Sequence, residues 1–465
     1  MQKIPRIVVG AVQGRSGKTT FTLGLLKALK TKGYQVQPFK KGPDYIDPSW
    51  MTFASGVPCR NLDAFMMRPE QIMHTFVKHS QGMDISVVEG AMGLFDGLDV
   101  EGSNSTAQLA YLIQSPVILV VNCQRITRSV AAIINGVVGF DPRITIGGVI
   151  LNNVARPRHQ NIMLESIKKY CQVPVLGMLP KSKDIEIPDR HLGLIPAGEQ
   201  DMLLERVENL GRLVLDNVDL DALLKVAHKA PELAEVVDKP VEISAADKVR
   251  IGVIRDRAFS FYYPENLEAL EEAGAEIIYI DSIKDQILPE IDGLYIGGGF
   301  PEVMAAEISA NIGLRQAVQE KIEQNLPVYA ECGGLMYLSK SIIIEEERYP
   351  MVGVLPCSVR MEKKPQGHGY AIQRCLADNP FFEEGTILHG HEFHNSRIID
   401  LDEGQAVFGF ETQRGKGIIE GRDGLVYKNT FAAYNHLHAA ADENWAASVV
   451  RKARTYKNSS NICNH

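Results

Sequence analysis

A chain of 465 residues is too long for one ordinary hydrophobic core, so its length predicts two or three domains. Hydrophobic residues at 45% and charged residues at 23% are typical of a soluble globular enzyme, and a net charge of −8 argues against broad nucleic-acid binding. No secretory signal is recognisable, the longest apolar run (116–123) is too short to cross a membrane, and seven cysteines without a C-x-x-C pair predict a reducing cytoplasm.

Short β-rich runs alternate with helical stretches in the first part of the chain, which is the pattern of a doubly wound parallel sheet. Their continuous apolar character suits strands that are buried on both faces. A helix is predicted at 19–33, where apolar side chains recur at helical spacing and Gly33 provides a common C-terminal stop. The predicted strands cover residues 6–12, 34–39, 84–90, 116–122, 144–152 and 173–179.

A second α/β series begins after residues 231–248, which carry two prolines and mixed charge without clear periodicity and are interpreted as a linker. A helix is predicted at 264–275, and a β-rich stretch extends to about residue 430. We therefore predict two doubly wound α/β domains, at 1–230 and 249–450, followed by a C-terminal tail at 451–465. The predicted strands of the second series cover residues 249–256, 275–281, 293–299 and 326–332.

The stretch GAVQGRSGKTT at 10–20 lies between a predicted strand and a predicted helix, which is the context of a P-loop NTPase-like phosphate site. The standard pattern G-x-x-x-x-G-K-[ST] requires glycine at position 12, but this chain has Val12 there, with Gly10 nearby. Backbone N–H groups at the helix N-terminus would bind phosphate oxygens, and Lys18 would contact the terminal phosphates. A glycine-rich turn without a ligand is the alternative. The candidate nucleotide-binding residues of this loop are Gly14, Ser16, Gly17, Lys18, Thr19 and Thr20.

Acidic residues follow the second and third predicted strands, where ligands of Mg²⁺ are expected. Asp44 and Asp47 lie after the second strand, and Glu89 and Asp96 lie after the third. Ligands bind at the carboxyl ends of the strands in an open α/β sheet, so these loops can meet the phosphate loop. Magnesium needs only one or two carboxylates, which favours Asp44 and Glu89 beside the Thr19 hydroxyl. The alternative is that these acids cap helices and turns.

One cysteine lies where a nucleophile is expected. YAECGGLMYL at 329–338 places Cys332 between a predicted strand and a helix-like run, an elbow that exposes the thiol and leaves N–H groups free for an oxyanion. We expect the helix N-terminus to lower the pKa of this thiol from its usual value of about 8.5. The remaining cysteines are interpreted as structural: Cys59, Cys123, Cys171, Cys357, Cys375 and Cys463.

Two histidines, His436 and His438, are candidate bases for Cys332. Because residues two apart on a strand face the same side, either could point at the thiol. The run GLYIGGGFPE at 293–302 ends a predicted strand in three glycines, whose N–H groups can approach a substrate closely. The candidate residues that bind the oxyanion or glutamine are Gly298, Gly299 and Gly333.

Several long motifs resemble one enzyme family. AFSFYYPENLEALEEAGAE, GLYIGGGFPE, YAECGGLMYL and HGHEFHNSR closely resemble the cobyrinate a,c-diamide synthases, and KKGPDYIDP and VVEGAMGLFDG resemble their N-terminal half. The similarity runs from residue 5 to about 450. It implies a dethiobiotin-synthetase-like ATP domain joined to a class I glutamine amidotransferase domain. The long spacing between Gly10 and Gly17 is then that of dethiobiotin-synthetase-like ATPases.

The same resemblance implies that the two domains catalyse different steps. Cys332 would form a thioester with L-glutamine, with His436 as the base, and ammonia would be released. MgATP would convert the a- and c-acetate carboxylates of a cyclic tetrapyrrole to acyl phosphates, which the ammonia then attacks. The residues around ATP and the substrate carboxylate would be Asp44, Tyr45, Glu89 and Asp96.

Two features of this sequence differ from the patterns of related enzymes. Many class I glutaminases carry H-x-E, whereas this chain reads His436-Leu437-His438, which implies a Cys–His dyad without a carboxylate. Residues 97–110 are longer and more polar than expected of cobyrinate enzymes, so sirohaem and nickel-sirohydrochlorin are alternative substrates. The histidines of HGHEFHNSR are expected to pack and hydrogen-bond rather than bind a metal: His389, His391 and His394.

A protein of a different class is the competing hypothesis: a regulatory P-loop ATPase with a non-catalytic glutaminase-like binding module. An intact thiol elbow beside a histidine favours the enzyme, because a binding module needs neither group. The order of the two amidations and the oligomeric state are left open, with a homodimer as one candidate.

Overall fold

The computed structural model describes residues 1–181, 197–236 and 248–463. The chain divides into two compact units, Met1–Lys239 and Pro240–His465. Residues 237–247 of the predicted linker lie outside the described residues. Its first part folds against the first unit, since Leu233 is buried and exchanges two backbone hydrogen bonds with Gln2. The domain limits inferred from the sequence stay predictions.

The described part of the first unit contains a seven-stranded parallel sheet in the order β3-β2-β4-β1-β5-β6-β7. Its strands are β1 Arg6–Ala11, β2 Val36–Lys41, β3 Arg60–Leu62, β4 Ile85–Glu89, β5 Val117–Asn122, β6 Ile146–Val154 and β7 Val175–Pro180. Its helices are α1 Lys18–Thr31, α2 Ile46–Ser55, α3 Pro69–Ser80, α4 Thr106–Leu112, α5 Ser129–Phe140, α6 Pro157–Tyr170, α7 Ala197–Asn217 and α8 Leu220–His228.

The apolar runs form the centre of this sheet because both of its faces are covered. Every residue of β1, β2 and β4 is buried, as expected for strands between two helical layers. All six predicted strands are present with ends shifted by a few residues. The short strand β3 was not predicted, because its sequence Arg-Asn-Leu carries no apolar run.

Arg6 is a fully buried cation at the start of β1. Its guanidinium donates to four carbonyl oxygens, those of Ile4, Ile113, Gln114 and Pro231, at 2.7 to 3.1 Å. Burial lowers the pKa of Arg6 to about 10. These bonds tie the end of α4 and the chain after α8 to the central strand.

The described part of the second unit contains a nine-stranded mixed sheet in the order β10-β8-β11-β13-β22-β21-β20-β17-β18, parallel up to β22 and antiparallel beyond it. A four-stranded sheet has the order β15-β14-β16-β19, and β9 pairs with β12. The strands are β8 Val249–Ile254, β9 Phe259–Phe261, β10 Ala275–Ile280, β11 Gly293–Ile296, β12 Gly298–Gly299, β13 Val328–Glu331, β14 Ser341–Ile344, β15 Glu347–Pro350, β16 Ser358–Met361, β17 Gly367–Cys375, β18 Ile387–His394, β19 Ser396–Ile399, β20 Val407–Arg414, β21 Arg422–Tyr427 and β22 Thr430–Ala433. The helices are α9 Pro264–Glu272, α10 Ala305–Ala310, α11 Ile312–Glu323, α12 Gly333–Leu338 and α13 Trp445–Cys463.

Aromatic side chains fill the core of the second unit. Tyr295, Tyr329 and Trp445 are almost fully buried and make edge or tilted ring contacts with centroids 5.4 to 5.8 Å apart. Trp445 begins α13, which continues through most of the predicted tail, and Ala453 of that helix is completely buried. The predicted fold class, two α/β units with a parallel sheet in the first, is confirmed.

Candidate active sites

The phosphate loop joins β1 to α1 as the sequence predicts. Gly17 has φ 93°, in the left-handed region, and a side chain there would clash with the Asn152 amide, whose nitrogen donates to the Ser16 carbonyl at 2.9 Å. Lys18 begins α1, is mostly buried, and donates to the Met92 carbonyl at 2.5 Å. The loop is therefore fixed from two sides, and Lys18 reaches the segment that follows β4.

A buried ion cluster lies beside this loop. Lys40 and Glu89 are partners on the adjacent strands β2 and β4, and their side chains are 2.7 Å apart. The Lys40 ammonium also lies 2.5 Å from Asp47 and 3.8 Å from Asp44. The Thr19 hydroxyl donates to Glu89 at 2.7 Å. All three predicted magnesium ligands, Thr19, Asp44 and Glu89, therefore belong to one network, centred on a lysine that was not predicted.

The charges of this cluster depend on one another. Burial alone would lower the pKa of Lys40, but Glu89 and Asp47 outweigh it and raise that pKa above its ordinary value. Burial of Asp47 acts to raise its pKa, yet the Lys40 ammonium holds it below the usual range. Burial, followed by the charge of Asp47, raises the pKa of Asp44 to about 6. Lys40 thus keeps its proton and balances the carboxylates around it.

The donor atoms fit a hard cation. Glu89 Oε2 is buried and has no hydrogen-bond partner among the described residues, while the Thr19 hydroxyl and Asp44 lie in the same network. The described residues contain no group of three or more acidic, cysteine or histidine side chains that could hold a metal without other ligands. Magnesium bound with phosphate oxygens needs no such group.

Two other candidates have structural partners. Asp96 accepts a hydrogen bond of 2.8 Å from the Gly93 N–H and so closes a turn after β4. Tyr45 directly precedes α2 and is partly exposed near the Lys40 cluster.

A cavity of about 490 Å³ adjoins the phosphate loop and is lined by Gln13 and Ser16, among others, on one side and by Asn122 and Arg125 on the other.

Cys332 lies between β13 and α12 in a strained conformation. Its φ of 47° and ψ of −95° are rare for a residue with a side chain, and such strain is typical of a nucleophile elbow. Gly333 packs against Gly298 and Gly299, which together form the glycine wall, since a Cβ at Gly333 would lie 3.2 Å from the Gly299 nitrogen and 3.4 Å from the Gly298 carbonyl carbon. The elbow and the three candidate oxyanion glycines are thus brought together.

His436 contacts the same glycine wall, whereas His438 contacts Ala440 and Glu265. A Cβ at Gly298 would lie 2.5 Å from Cε1 of His436. His438 is fully buried, its Nδ1 accepts from the Ala440 N–H at 3.1 Å, and its Nε2 lies 3.7 Å from Glu265. The Nδ1 of His438 is therefore engaged by Ala440 and its Nε2 is directed towards Glu265, which favours His436 as the base.

Known protein families match both halves of the chain. A profile described as a CobQ/CobB/MinD/ParA nucleotide binding domain matches residues 7–195, and one described as a CobB/CobQ-like glutamine amidotransferase domain matches residues 250–444. Cobyrinate a,c-diamide synthases of Magnetococcus marinus, Archaeoglobus fulgidus and Listeria monocytogenes are 43%, 41% and 42% identical to this chain. The alignments cover 97%, 98% and 93% of it and 97%, 98% and 96% of those proteins. The chain belongs to the cobyrinate a,c-diamide synthase family.

Two expectations about the thiol site of this family member are wrong. Burial, and next the negative charge of Glu302, raise the pKa of the Cys332 thiol, whereas the helix N-terminus was expected to lower it. The two histidines do not share a strand face, because β22 ends at Ala433 and they lie in the irregular segment after it. The Cys–His dyad without a carboxylate stays a prediction, and Glu331 lies 3.7 Å from Nδ1 of His436.

Most of the other cysteines are buried, and one histidine of the HGHEFHNSR motif stacks on an aromatic ring and hydrogen-bonds. Cys59, Cys123, Cys357 and Cys375 are buried, Cys171 is partly buried, and the side chain of Cys463 lies outside the described residues. His394 stacks on Tyr434 with ring centroids 3.6 Å apart, and its Nδ1 lies 2.8 Å from the Ser396 carbonyl oxygen. No described helix is long and apolar enough to cross a bilayer.

Two functional candidates of this family member, Lys40 and Glu331, were missed from the sequence. Both are charged residues at the carboxyl end of a buried strand, Lys40 in β2 and Glu331 at the last position of β13. A charged side chain rarely becomes fully buried unless it is paired, so an ionisable residue that closes an apolar run is the signal that could have found them.

Proposed function

We propose that this chain amidates the a- and c-acetate carboxylates of cobyrinate, using nitrogen from glutamine and phosphoryl groups from ATP, in cobalamin biosynthesis. The observation that carries the proposal is the strained Cys332 elbow beside His436 and the Gly298–Gly299 wall. The relatives named cobyrinate a,c-diamide synthase, which align with nearly the whole chain, support this choice of substrate.

Glutamine hydrolysis is assigned to the second unit. His436 takes the proton of the Cys332 thiol as the sulfur attacks the γ-carboxamide carbon of glutamine, and a carbon–sulfur bond forms. The carbon–nitrogen bond then breaks, and the departing nitrogen takes that proton and leaves as ammonia. Water hydrolyses the thioester to glutamate. The raised pKa of the buried thiol makes this transfer to a base necessary, because little thiolate forms without it.

Carboxylate activation is assigned to the first unit. The loop from Gly14 to Thr20 would bind the phosphates, with Lys18 at the terminal ones, and Thr19, Glu89 and Asp44 would hold Mg²⁺. When bound, MgATP supplies the phosphoryl group that gives the substrate carboxylate a leaving group. Lys40 balances the charge of Glu89 and Asp47, and Tyr45 and Asp96 would line the nucleotide and substrate site.

A matched pair of cysteine variants tests the glutaminase assignment. Cys332→Ala should lower ammonia release from glutamine by at least about 10³-fold, because no thioester can form. Cys375→Ala, at another buried cysteine of the same unit, should keep wild-type release per folded protein. Unchanged release by Cys332→Ala would contradict the mechanism.

The substrate is tested by mass spectrometry of products formed with glutamine and MgATP. Cobyrinate should gain two amides, seen as two replacements of a hydroxyl by an amino group. Sirohaem and nickel-sirohydrochlorin, offered separately, should remain unmodified under the same conditions. Amidation of either one in preference to cobyrinate would overturn the choice of macrocycle and leave the reaction type standing.

A further inference from the structure

Glu331 is a completely buried carboxylate directly before the proposed nucleophile. It ends β13, and its Oε2 lies 3.7 Å from Nδ1 of His436, which itself is almost fully buried. We propose that Glu331 is the residue that orients His436 and so replaces the glutamate of the H-x-E pattern. This inference rests on the proposed glutaminase reaction, in which His436 is the base.

The carboxylate of Glu331 is held in place by two donors. Its Oε1 accepts from the Leu437 N–H at 3.0 Å, and its Oε2 accepts from the Tyr295 hydroxyl at 3.1 Å. Asn266 supports both donors, since its amide nitrogen lies 3.2 Å from the Tyr295 oxygen and donates to the Leu437 carbonyl at 3.0 Å. The orienting group is thus rigid, as a positioning residue must be.

The other edge of the imidazole faces the reaction site. Cε1 and Nε2 of His436 lie nearest to Gly298, at 2.5 and 3.3 Å from the position of a Cβ there. With a carboxylate at the Nδ1 edge, the proton of the neutral ring is held on Nδ1 and the lone pair is left on Nε2. That tautomer presents an acceptor, rather than a donor, towards the glycine wall beside Cys332.

The ring face of His436 is covered by a group that carries no charge. His391 stacks on it with centroids 4.9 Å apart and an angle of 16°, and the backbones of the two residues exchange hydrogen bonds. Burial, and next the proximity of His436 and His438, lower the pKa of His391 well below its ordinary value. A neutral neighbour does not oppose the positive charge that His436 gains during the reaction, and Glu331 stabilises it.

The distance of 3.7 Å exceeds that of a hydrogen bond, which is common for a catalytic pair before substrate binds. Hydrogen bonds among catalytic groups are often long in unliganded enzymes and tighten in the complex with substrate. A small rotation of the His436 ring would close the gap, since Glu331 already has fixed partners.

Glu331→Gln is designed to change the tautomer of His436 while it keeps the hydrogen bond that Glu331 makes to the backbone. The Leu437 N–H can only donate, so the new amide oxygen takes the place of Oε1 and keeps that backbone bond. The amide nitrogen then replaces Oε2 and faces Nδ1 of His436 as a donor. The ring is driven to the opposite tautomer, with its proton on Nε2, and cannot accept a proton from Cys332.

The first experiment measures glutaminase kinetics of Glu331→Gln in the full chain. We expect kcat to fall by about 10²- to 10⁴-fold with little change in KM, as for other enzymes that lose the carboxylate behind a catalytic histidine. ATP-dependent amidation with ammonium in place of glutamine should stay at the wild-type rate, which shows that the first unit is intact, and urea unfolding followed through Trp445 in a Trp50→Phe background should show that the second unit is folded.

The matched control is Glu265→Gln. Glu265 is also buried and its Oε2 also lies 3.7 Å from a histidine nitrogen, but that nitrogen belongs to His438. Glu265→Gln also places an amide at a buried position, but beside Nε2 of His438 instead of Nδ1 of His436, so glutaminase kcat should stay within about threefold of wild type. Equal losses in the two variants, or wild-type kcat in Glu331→Gln, would overturn the role of Glu331.

A second measurement needs no variant to be active. Nitrogen-15 spectra of histidine-labelled wild-type protein, with the His436 signal assigned by its absence in His436→Gln, should show Nδ1 protonated and Nε2 unprotonated in the neutral ring. A neutral His436 protonated on Nε2 would overturn the inference even if Glu331→Gln failed to fold. Failure of the proposed function looks different, since wild-type protein would then release no ammonia from glutamine.

Discussion

Lys40 shows how one residue sets the charge balance of a site. Its ammonium, with 6% of the side chain exposed, is within 4 Å of Glu89, Asp47 and Asp44. A buried charge without a partner is far more costly than a buried pair. In the ligand-free protein, Lys40 therefore compensates the negative charge of these three acids. They are also the acids expected near Mg²⁺.

Replacing Lys40 by methionine should destabilise the first unit strongly. The change keeps an unbranched side chain of similar length but leaves Glu89 and Asp47 unpaired, and we expect a loss of about 3 kcal/mol in the free energy of unfolding near neutral pH. Urea unfolding followed through Trp50, the fully buried tryptophan of this unit, in a Trp445→Phe background measures the loss.

An exposed ion pair in the same unit provides the control for Lys40→Met. Arg143 pairs with Asp141 at 2.7 Å but 64% of its side chain is exposed, so Arg143→Met should cost far less stability than Lys40→Met. The loss in Lys40→Met should also shrink as the pH falls towards about 6, because removing Lys40 raises the pKa of Asp44 above that value and the variant takes up a proton before wild type does. Equal, pH-independent losses in both variants would contradict the charge-balance argument.

At the scale of elements, the segment after β22 is held by side chains from other elements. Asp423 of β21 accepts from the N–H groups of Tyr434 and Asn435 at 3.0 and 3.1 Å. Glu331 of β13 accepts from Leu437, as described above. The segment that carries His436 is therefore fixed without being part of a strand.

Asp423 should make the stability of the second unit depend on pH. Burial raises its pKa from 3.8 to about 6, although three backbone N–H groups oppose the shift. The folded protein then takes up a proton between about pH 6 and pH 4 that the unfolded chain does not, so this group adds stability as the pH falls and loses it as the pH rises through about 6. The gap between the two pKa values sets an upper limit of about 3 kcal/mol.

Asp423→Asn removes this proton uptake. The stability of wild type relative to the variant should therefore increase from about pH 6 to pH 4, measured by urea unfolding through Trp445 in a Trp50→Phe background. Asp402→Asn, at an exposed turn residue of the same unit, should show no such trend. A difference between wild type and Asp423→Asn that does not change with pH would contradict the raised pKa.

Strands were predictable where local sequence decides them, and the site was predictable only in part. The apolar runs of β1, β4 and β5 need no partner to be recognised, because burial on both faces is visible in each run itself. Lys40 and Glu331 depend on partners 49 and 106 positions away, Glu89 and Leu437. Such pairings follow from strand order and register, which a single sequence does not contain.

At the scale of the whole molecule, the two proposed half-reactions have separate residues and can be tested separately. The first unit contains the phosphate loop and the Lys40 cluster, and the second contains the Cys332 elbow and its histidine. Ammonia is the only chemical species that the proposed reaction passes from one half-reaction to the other. Added ammonium therefore removes the need for the second unit, whereas the first unit is still needed.

This separation predicts how two variants respond to the nitrogen source. Cys332→Ala should not amidate the macrocycle with glutamine but should approach the wild-type rate with ammonium, because its carboxylate-activating unit is unchanged. Lys18→Ala should fail with either source, since no acyl phosphate forms, while Lys30→Ala, at an exposed position of the same helix, should behave as wild type. Product formation is followed by mass spectrometry, and rescue of Lys18→Ala by ammonium would contradict carboxylate activation at the phosphate loop.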